Sequence, residues 1–401
     1  MRILLITDNF HPESNALANR STTHTNFWKK KDKVIVVTCF PNHPMGRKFQ
    51  NYNKFKFFKK EKSGNLTVYR IWSFISKKDN SYINFFDYLS FGLTSFFFSF
   101  FIKCDLIIGS SPPLPVAFFT MLNAKLRNIK IVTEVRDLWV DSINDLKLSR
   151  SKALINILYF FENLMFRSSN LIVCTTQSIQ KKIIKRKVDK KKVLVRANGS
   201  IKLIHNKKQK ISINNIYKKG KLNILYLGTI GVSQNFKIIL DVIKRFKDKI
   251  NFIIIGNGSE VPLLKSQISS INSNDVKLIE MKENSLNHKI YNKFDVGITS
   301  LKNNKTFKTV IPSKIYDYAS HGLTTLFIGP KGDTSYLIKK YSLGIYSKPN
   351  LKDLTKKINI LISRKKKFRK NAKKFMLRNK KLFDRKKVAK EMLDDFRMIL
   401  K

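Results

Sequence analysis

The chain is short of acid. Its 401 residues hold 27 Asp and Glu against 79 Lys and Arg, a formal charge of +52. Two readings of that imbalance compete. One is a polyanionic partner, either nucleic acid or an anionic membrane surface. The other is compositional: Lys, Asn, Ile and Phe rise together in an A+T-rich genome, and all four are abundant here. The lysines are spread along the chain rather than gathered in a tail, so most of the excess is assigned to composition and some to function. Cysteine is almost absent too. Cys39, Cys104 and Cys174 are odd in number, widely spaced and form no CxxC. That argues against a disulfide framework and structural zinc, and fits a reducing cytoplasm. The histidines at 11, 24, 43, 205, 288 and 321 form no HxH or HExxH pair, so no metal is expected. Long apolar runs are missing as well. The longest, Tyr88–Ile102, has about fifteen residues, below the ~20 that span a bilayer. The start, Met1–Thr7, reads as a strand entering Asp8–Pro12 and not as a cleavable leader.

What is present is ample apolar material. At 43% hydrophobic the chain packs into globular structure, and its length fits two domains. Short β-branched runs recur with helix-sized gaps. In the first half they are Ile3–Thr7, Val34–Thr38, Leu66–Ile71, Leu106–Gly109, Ile131–Val135, Leu171–Thr175 and Val193–Val195. In the second they are Leu222–Leu227, Asn251–Ile255, Val276–Ile279, Val296–Thr299, Thr324–Ile328 and Gly344–Tyr346. Buried parallel strands look like this, so the expected class is α/β with one doubly wound sheet per half. The expected limits are 1–200 for the first domain, 201–220 for a polar aperiodic linker and 221–365 for the second domain. A helical segment, 366–401, carries Leu382, Phe383, Ala389, Met392, Leu393, Phe396 and Leu400 at helical spacing and is a candidate to cross back to the first domain. Tyr88–Ile102 and Ser151–Arg167 read as apolar helices. Each is either a buried core helix or a membrane-interface helix, the aromatic first one being the better interface candidate.

Ligand-binding motifs in such sheets belong at the carboxyl ends of strands. The richest is Ile311–Gly322, PSKIYDYASHG after an isoleucine. Pro312 reads as the first helical residue, Ser313 and Lys314 lie in the first turn, and Ile311 cannot cap. Free backbone N–H groups there suit an anion, and Asp317 one turn on can accept two hydrogen bonds from a vicinal diol. An acid near a helix start is also stabilising by itself. Tyr226–Gln234, with Gly228, Thr229 and Gly231, lets backbone approach phosphate. Ile255–Glu260 adds a GxG, weak on its own. In the first half, Ile131–Ser142 ends a strand in adjacent Arg136 and Asp137, which read either as a pair presenting charge to a reacting centre or as an ion pair capping the strand. The loop Phe10–Ala16 ends the first strand and lacks glycine, so it is no dinucleotide fingerprint.

The order "strand–FHPE", PNHPMG, SSPP, EVRDLWVDS, ANG, YLGTIG…Q and PSKIYDYASHG resembles bacterial retaining glycosyltransferases of family four. More narrowly it is similar to the WbuB-like transferases of surface-polysaccharide assembly. The likeness runs from Met1 to about Asn350, with EVRDLW and PSK…Y the specific stretches. It implies a GT-B architecture, two Rossmann-like domains facing a cleft, with a UDP-sugar donor on the second and the acceptor on the first. By carry-over Asp317 holds the ribose. Ser313, Lys314, Gly228, Thr229 and Gln234 meet the diphosphate. Arg136 and Asp137 lie at the reacting centre, and Glu13 and Asn15 border the acceptor. Where the wider family usually has two glutamates eight apart, this chain has Thr309 and Asp317. Its usual Arg and Lys clamp is replaced by Ser233-Gln234-Asn235. The implied activity is metal-free, cofactor-free transfer of a sugar, an N-acetylated or deoxy amino sugar, to a polyprenyl-diphosphate-linked saccharide in O-antigen, capsule or exopolysaccharide synthesis. The protein would sit on the inner face of the cytoplasmic membrane, docked through Tyr88–Ile102. The alternatives are a UDP-sugar 2-epimerase on the same fold, or a basic membrane or nucleic-acid scaffold. No basic stripe with interleaved aromatics is visible, so nucleic acid is not expected as a partner.

Overall fold

The structure is a computed structural model. It describes residues 1–43, 46–54, 57–76, 81–149, 151–200, 216–271, 273–280 and 288–401. Part of the PNHPMG stretch and most of the expected linker lie outside the described residues.

The strands are β1 (Arg2–Ile6), β2 (Lys33–Cys39), β3 (Phe58–Ser63), β4 (Leu66–Ile71), β5 (Leu106–Ser111), β6 (Lys130–Val135), β7 (Leu171–Cys174), β8 (Val193–Val195), β9 (Leu222–Leu227), β10 (Ile250–Gly256), β11 (Val276–Glu280), β12 (Val296–Ser300), β13 (Thr324–Ile328) and β14 (Gly344–Ser347). The helices are α1 (Ala16–Trp28), α2 (Ser81–Phe100), α3 (Leu114–Leu126), α4 (Trp139–Asp145), α5 (Lys152–Ser168), α6 (Gln177–Lys185), α7 (Phe236–Arg245), α8 (Val261–Ser269), α9 (Ser313–Ser320), α10 (Asp333–Lys340), α11 (Leu351–Ser363), α12 (Lys365–Arg378) and α13 (Arg385–Leu400). Every run read as a strand is one, to within a residue or two at its ends. β3 was not legible: FKKEKS has no apolar run, and it pairs antiparallel as an edge strand on β4.

The chain divides into two compact units. One is Met1–Asn198 with Arg385–Lys401, and the other is Gly199–Asp384. The segment read as one helical stretch, 366–401, is therefore two helices, with α12 in the second unit and α13 in the first.

In the first unit the sheet order is β3-β4-β2-β1-β5-β6-β7-β8, parallel apart from β3. Parallel sheets need both faces covered, and alternating residues of β1 serve opposite faces. Leu4 and Ile6 join α2, α3, α5 and α6 in one buried cluster. Ile3 and Leu5 join Trp28 of α1 with Ala389, Met392, Leu393 and Phe396 of α13 in another. Polar contacts pin α13 in place. The Trp28 indole N–H donates to the Ala389 carbonyl at 2.8 Å, and Arg196 pairs with Asp395 at 2.7 Å. α2 starts well before the apolar stretch seen in the sequence. It runs for 20 residues, and among the described residues no helix is long and apolar enough to cross a membrane.

Arg20 of α1 is the polar centre of this unit. Its guanidinium is buried and meets the buried Glu134 of β6 at 2.7 Å. It also donates to the Arg196 and Ala197 carbonyls at 3.2 Å each and to Asn198 Oδ1 at 2.9 Å. The EVRDLW and ANG stretches are thus tied by a residue that neither contains.

The second unit has the all-parallel order β11-β10-β9-β12-β13-β14. The strand order reverses between β9 and β12, and ligands of open α/β sheets gather at the carboxyl ends of such a point. α7, α8 and α11 pack on one face, and Tyr291, Phe294 and Tyr318 on the other. The inward face of α12 is fastened by Lys365 and Arg369, which reach the buried Asp295 at 2.8 and 3.4 Å.

Removing one partner of a buried ion pair leaves a desolvated charge. Arg20→Met should therefore lower unfolding free energy by about 3–5 kcal/mol. Arg20→Met/Glu134→Met should regain part of that loss, read from chemical denaturation midpoints.

Candidate functional site

In the second unit the site begins with α9. Its N-cap is Pro312, so the helix starts at Ser313, one position later than the sequence reading placed it, and no side chain caps it. The first-turn amides of Ser313 and Lys314 therefore meet no capping oxygen, and an anion fits there. Asp317 is the fifth helical residue, beyond the first turn, so compensation of the helix dipole does not account for it. Gly322, at φ +68°, closes the helix with backbone bonds from Gly322 to Ala319 and from Leu323 to Tyr318.

Tyr318 aims this helix. Its buried hydroxyl donates to the Ile298 carbonyl of β12 at 3.1 Å and accepts from the Leu227 amide of β9 at 3.3 Å. One residue of α9 thus grips both strands that flank the reversal of order. Gly297 makes room for it, since a Cβ there would stand 2.6 Å from the Tyr318 ring.

Lys314 then folds back over the loop that follows β9. Its Nζ lies 4.8 Å from the Tyr226 ring centroid. A Cβ on Gly228 would come 2.9 Å from Lys314 Cε and 3.2 Å from its Nζ. Gly228 is also at φ +129°, where an L side chain is strained. The backbone angle favours glycine there, and the missing side chain lets Lys314 lie across the turn. Lys314 keeps part of its surface exposed, but protein packs densely around the ammonium, and no hydrogen-bonded or ion-paired acid meets it among the described residues. Desolvation pushes its pKa down to about 8, with the Asp317 charge opposing the fall. It is a cation with no hydrogen-bonded acid among the described residues, beside a glycine turn and a helix N-terminus, with Asp317 the charge that offsets its desolvation.

The loop is held through its backbone carbonyls. The Tyr226 hydroxyl donates to the Thr229 carbonyl at 2.5 Å, and the Lys302 amide donates to the Ser233 carbonyl at 2.9 Å. Gln234 accepts from the Gly231 amide through Oε1 at 3.0 Å, so its carbonyl shapes the loop and its NH₂ is the part left to donate. The GxG of Gly256 and Gly258 has a packing role. Cβ atoms there would strike the Gly228 and Ile230 carbonyls, and the Ile230 amide donates to the Asn257 carbonyl at 2.9 Å. Around Asp317 stand two residues the sequence did not single out. The Tyr291 ring stacks on His321 at 4.3 Å, and its hydroxyl pKa is raised by burial first and by the Asp317 charge second.

In the first unit Arg136 and Asp137 follow β6, but they form no ion pair with each other. The Arg136 guanidinium donates to the Pro112 carbonyl, and its Nε is buried without a partner among the described residues. Its amide donates to the Ser111 carbonyl at 2.9 Å, and its carbonyl accepts from the Thr175 hydroxyl at 2.8 Å. The strand-capping ion pair is thus not what forms. The Asp137 carboxyl has no hydrogen-bond partner among the described residues. Desolvation raises it to about 6, with Arg136 opposing. A carboxyl poised there can give or take a proton near neutrality. Tyr88 of α2, which sequence reasoning missed, belongs to the same group. Its hydroxyl feels Asp8 and Arg136, and its ring sits 6.3 Å from Trp139.

Glu13 and Asn15 shape loops instead of presenting their polar atoms. Glu13 is buried, and its carboxylate accepts from the amides of Phe10, Asn42 and His43 at 2.8–3.1 Å. It ties the loop after β1 to the loop after β2. Asn15 caps α1 by accepting from the Ala18 amide at 2.8 Å. Asp141 of the EVRDLWVDS stretch joins a network with Lys182, Arg186 and the Tyr159 hydroxyl. Among the described residues no group of three or more His, Cys, Asp or Glu is placed to hold a metal ion.

No family model and no curated protein matches the sequence. Solved structures do match the fold. Sucrose-phosphate synthase from Thermosynechococcus elongatus is similar over 100% of this chain and 99% of its own, with a TM-score of 0.72 at 12% identity. Anabaena Alr3699/HepE in complex with UDP-glucose gives 0.69 at 12% identity over 99% and 100% of the two chains. A glycosyltransferase from Rickettsia africae gives 0.67 at 13% identity over 100% and 98%. The likeness shows the fold, the GT-B class with two Rossmann-like domains.

Lys314 has a folded-state pKa below its unfolded value, so folding opposes its charge. Its contribution to stability is poorest below about pH 8 and improves as pH rises from there toward the ordinary lysine value. Lys314→Met should therefore raise the thermal midpoint by a few degrees near neutral pH, with the gain shrinking at about pH 10. Melts of both proteins across that range test this.

Proposed function

We propose that this protein is a retaining glycosyltransferase using a UDP-sugar. The observation that carries the reading is Lys314 folded over the Gly228 turn, with Asp317 one turn further along α9. The diphosphate lies against the α9 amides, Ser313, Lys314, the Gly228–Thr229 backbone and the Gln234 NH₂. The ribose diol donates to Asp317. In the reaction the bond from the anomeric carbon to the diphosphate oxygen breaks, and an acceptor hydroxyl bonds to that carbon on the same face. Negative charge grows on the departing UDP, and Lys314 and the helix N-terminus are already aimed at it. The reading contains no metal or cofactor. Arg136 and Asp137 are assigned to the charge that develops on the sugar, while Glu13 and Asn15 hold the loops of the acceptor side. UDP-glucose in the HepE structure supports the donor class.

The sugar is proposed to be an N-acetylated or deoxy amino sugar. The acceptor is proposed to be a polyprenyl-diphosphate-linked saccharide of surface-polysaccharide synthesis, met at the inner face of the cytoplasmic membrane. Support for a membrane surface comes from the first unit. Phe97 and Phe101 are 65% and 86% exposed, and Phe160 of α5 is 64% exposed. A chain of ring contacts 4.9–6.2 Å long joins them, from Phe101 through Phe100 and Phe96 to Phe119 and Phe118 of α3, then to Phe161 and Phe160. An aromatic patch of this kind, exposed at Phe97, Phe101, Phe160 and Phe161 and linked by half-buried rings, suits an interaction surface at the headgroup boundary. It extends the docking helix read in the sequence onto α3 and α5.

Asp317→Ala removes a charged acceptor of two hydrogen bonds and should weaken UDP binding about tenfold or more in calorimetry. Unchanged affinity would sink the donor assignment. Phe97→Ser/Phe101→Ser/Phe160→Ser should lower flotation with vesicles, charged or neutral, about tenfold or more while leaving UDP affinity alone. Equal flotation would remove the patch from the membrane reading.

A further inference from the structure

α12 and the turn after it form the most one-sided charge in the chain. No Asp or Glu lies between Asp353 and Asp384. The basic residues there fall into two sets. Lys365 and Arg369 face inward and bond to Asp295, so they are structural. Lys366, Lys367, Lys370, Lys373, Lys374 and Arg378 are exposed, and none has an ion-pair partner among the described residues. Lys366, Lys370, Lys374 and Arg378 follow at successive i,i+4 steps, where like charges repel and weaken a helix. The helix persists because Phe368, Ala372 and Phe375 pack inward, not because its outer face is comfortable. An external polyanion would relieve that repulsion.

We propose that the outer face of α12 is a docking surface for an anionic phospholipid bilayer. It takes its partner from the membrane reading above and adds a second, electrostatic contact carried by the second unit. The apolar side chains on offer favour lipid over nucleic acid. Leu377 and Leu382 are exposed beside the lysines. Phe375, the ring that could stack on a base, is instead 5.7 Å from Phe383 and 5.8 Å from Tyr341 within the unit. Leucine inserts into a headgroup boundary but offers no π-face to a base. Clusters of four to eight basic residues on one helix bind anionic headgroups in this way. A single apolar contact gives weak, reversible attachment, and a polybasic face is the usual second signal.

The test uses the full chain and vesicles of phosphatidylcholine with or without phosphatidylglycerol. Neutralising Lys366, Lys367, Lys370, Lys373 and Lys374 to Gln should lower partition onto the anionic vesicles more than about tenfold. Binding to neutral vesicles and UDP affinity should not change, and the thermal midpoint should not fall, since neutralising the lysines relieves their repulsion. The comparison protein carries Lys237, Lys244, Arg245, Lys247 and Lys249→Gln, an exposed set in the same unit. It should lose less than about twofold, since a surface attraction falls off within a Debye length. Equal losses from both proteins would mean that net charge alone is read, and would overturn the proposal. So would full vesicle binding by the α12 variant, or binding to single-stranded RNA that this variant loses while its vesicle binding stands. Lost UDP binding in the unaltered protein would count against the donor reading instead.

Discussion

A parallel sheet exposes apolar side chains on both faces, and each face has to be covered. In the first unit that demand is met by α1 together with the last helix of the chain, α13. Everything at the carboxyl ends of that sheet depends on the closure. Arg20 sits beneath it, buried, and joins α1 to β6 and to the residues after β8. An ion pair so deep is not itself a large source of stability. Its effect is registration: β6 is held where its end can present Arg136 and Asp137, and the chain after β8 leaves the sheet at a set place.

The second unit solves a different problem, bringing backbone and a cation close to one point without crowding. Tyr318 ties α9 to the two central strands. Gly228 is bare, so Lys314 can lie across it, and Gly256 and Gly258 let the neighbouring loop press against the same turn. Both candidate centres hold a charge that burial disfavours. Lys314 is pushed down to about 8 and Asp137 up to about 6. Charges desolvated in this way cost the fold stability, which is where function and stability conflict.

Much of this was legible in one dimension. Buried parallel strands are short apolar runs, and all of those runs became strands. The exception, β3, is polar because an edge strand shows one side to water. The start of α2 was missed because Asp87 interrupts the apolar pattern while bonding the Ser76 amide at 3.2 Å. The α12–α13 boundary was missed because apolar spacing is helical on both sides of it. Motifs located the carboxyl-end loops correctly but said little about which atoms remain available. Glu13 reads like a ligand contact and turns out to hold three backbone amides. Adjacent Arg136 and Asp137 read like a pair, yet the guanidinium bonds the Pro112 carbonyl and forms no ion pair with Asp137.

Local pattern determined what could be known locally: the strands, the helix that follows Pro312, the glycines where backbone must come close, and the two-sheet class. Those depend on side-chain period and on φ, which neighbouring residues set. Tertiary structure alone decided the partners. Arg20 and Glu134 are 114 positions apart, and Arg196 and Asp395 are 199 apart. No period in the sequence encodes such pairings, because they exist only once the sheet of the first unit has formed and its uncovered faces have found their helices. Whether a charge is structural or available follows from the same packing, since burial and a partner's distance set its pKa and its freedom to meet a ligand.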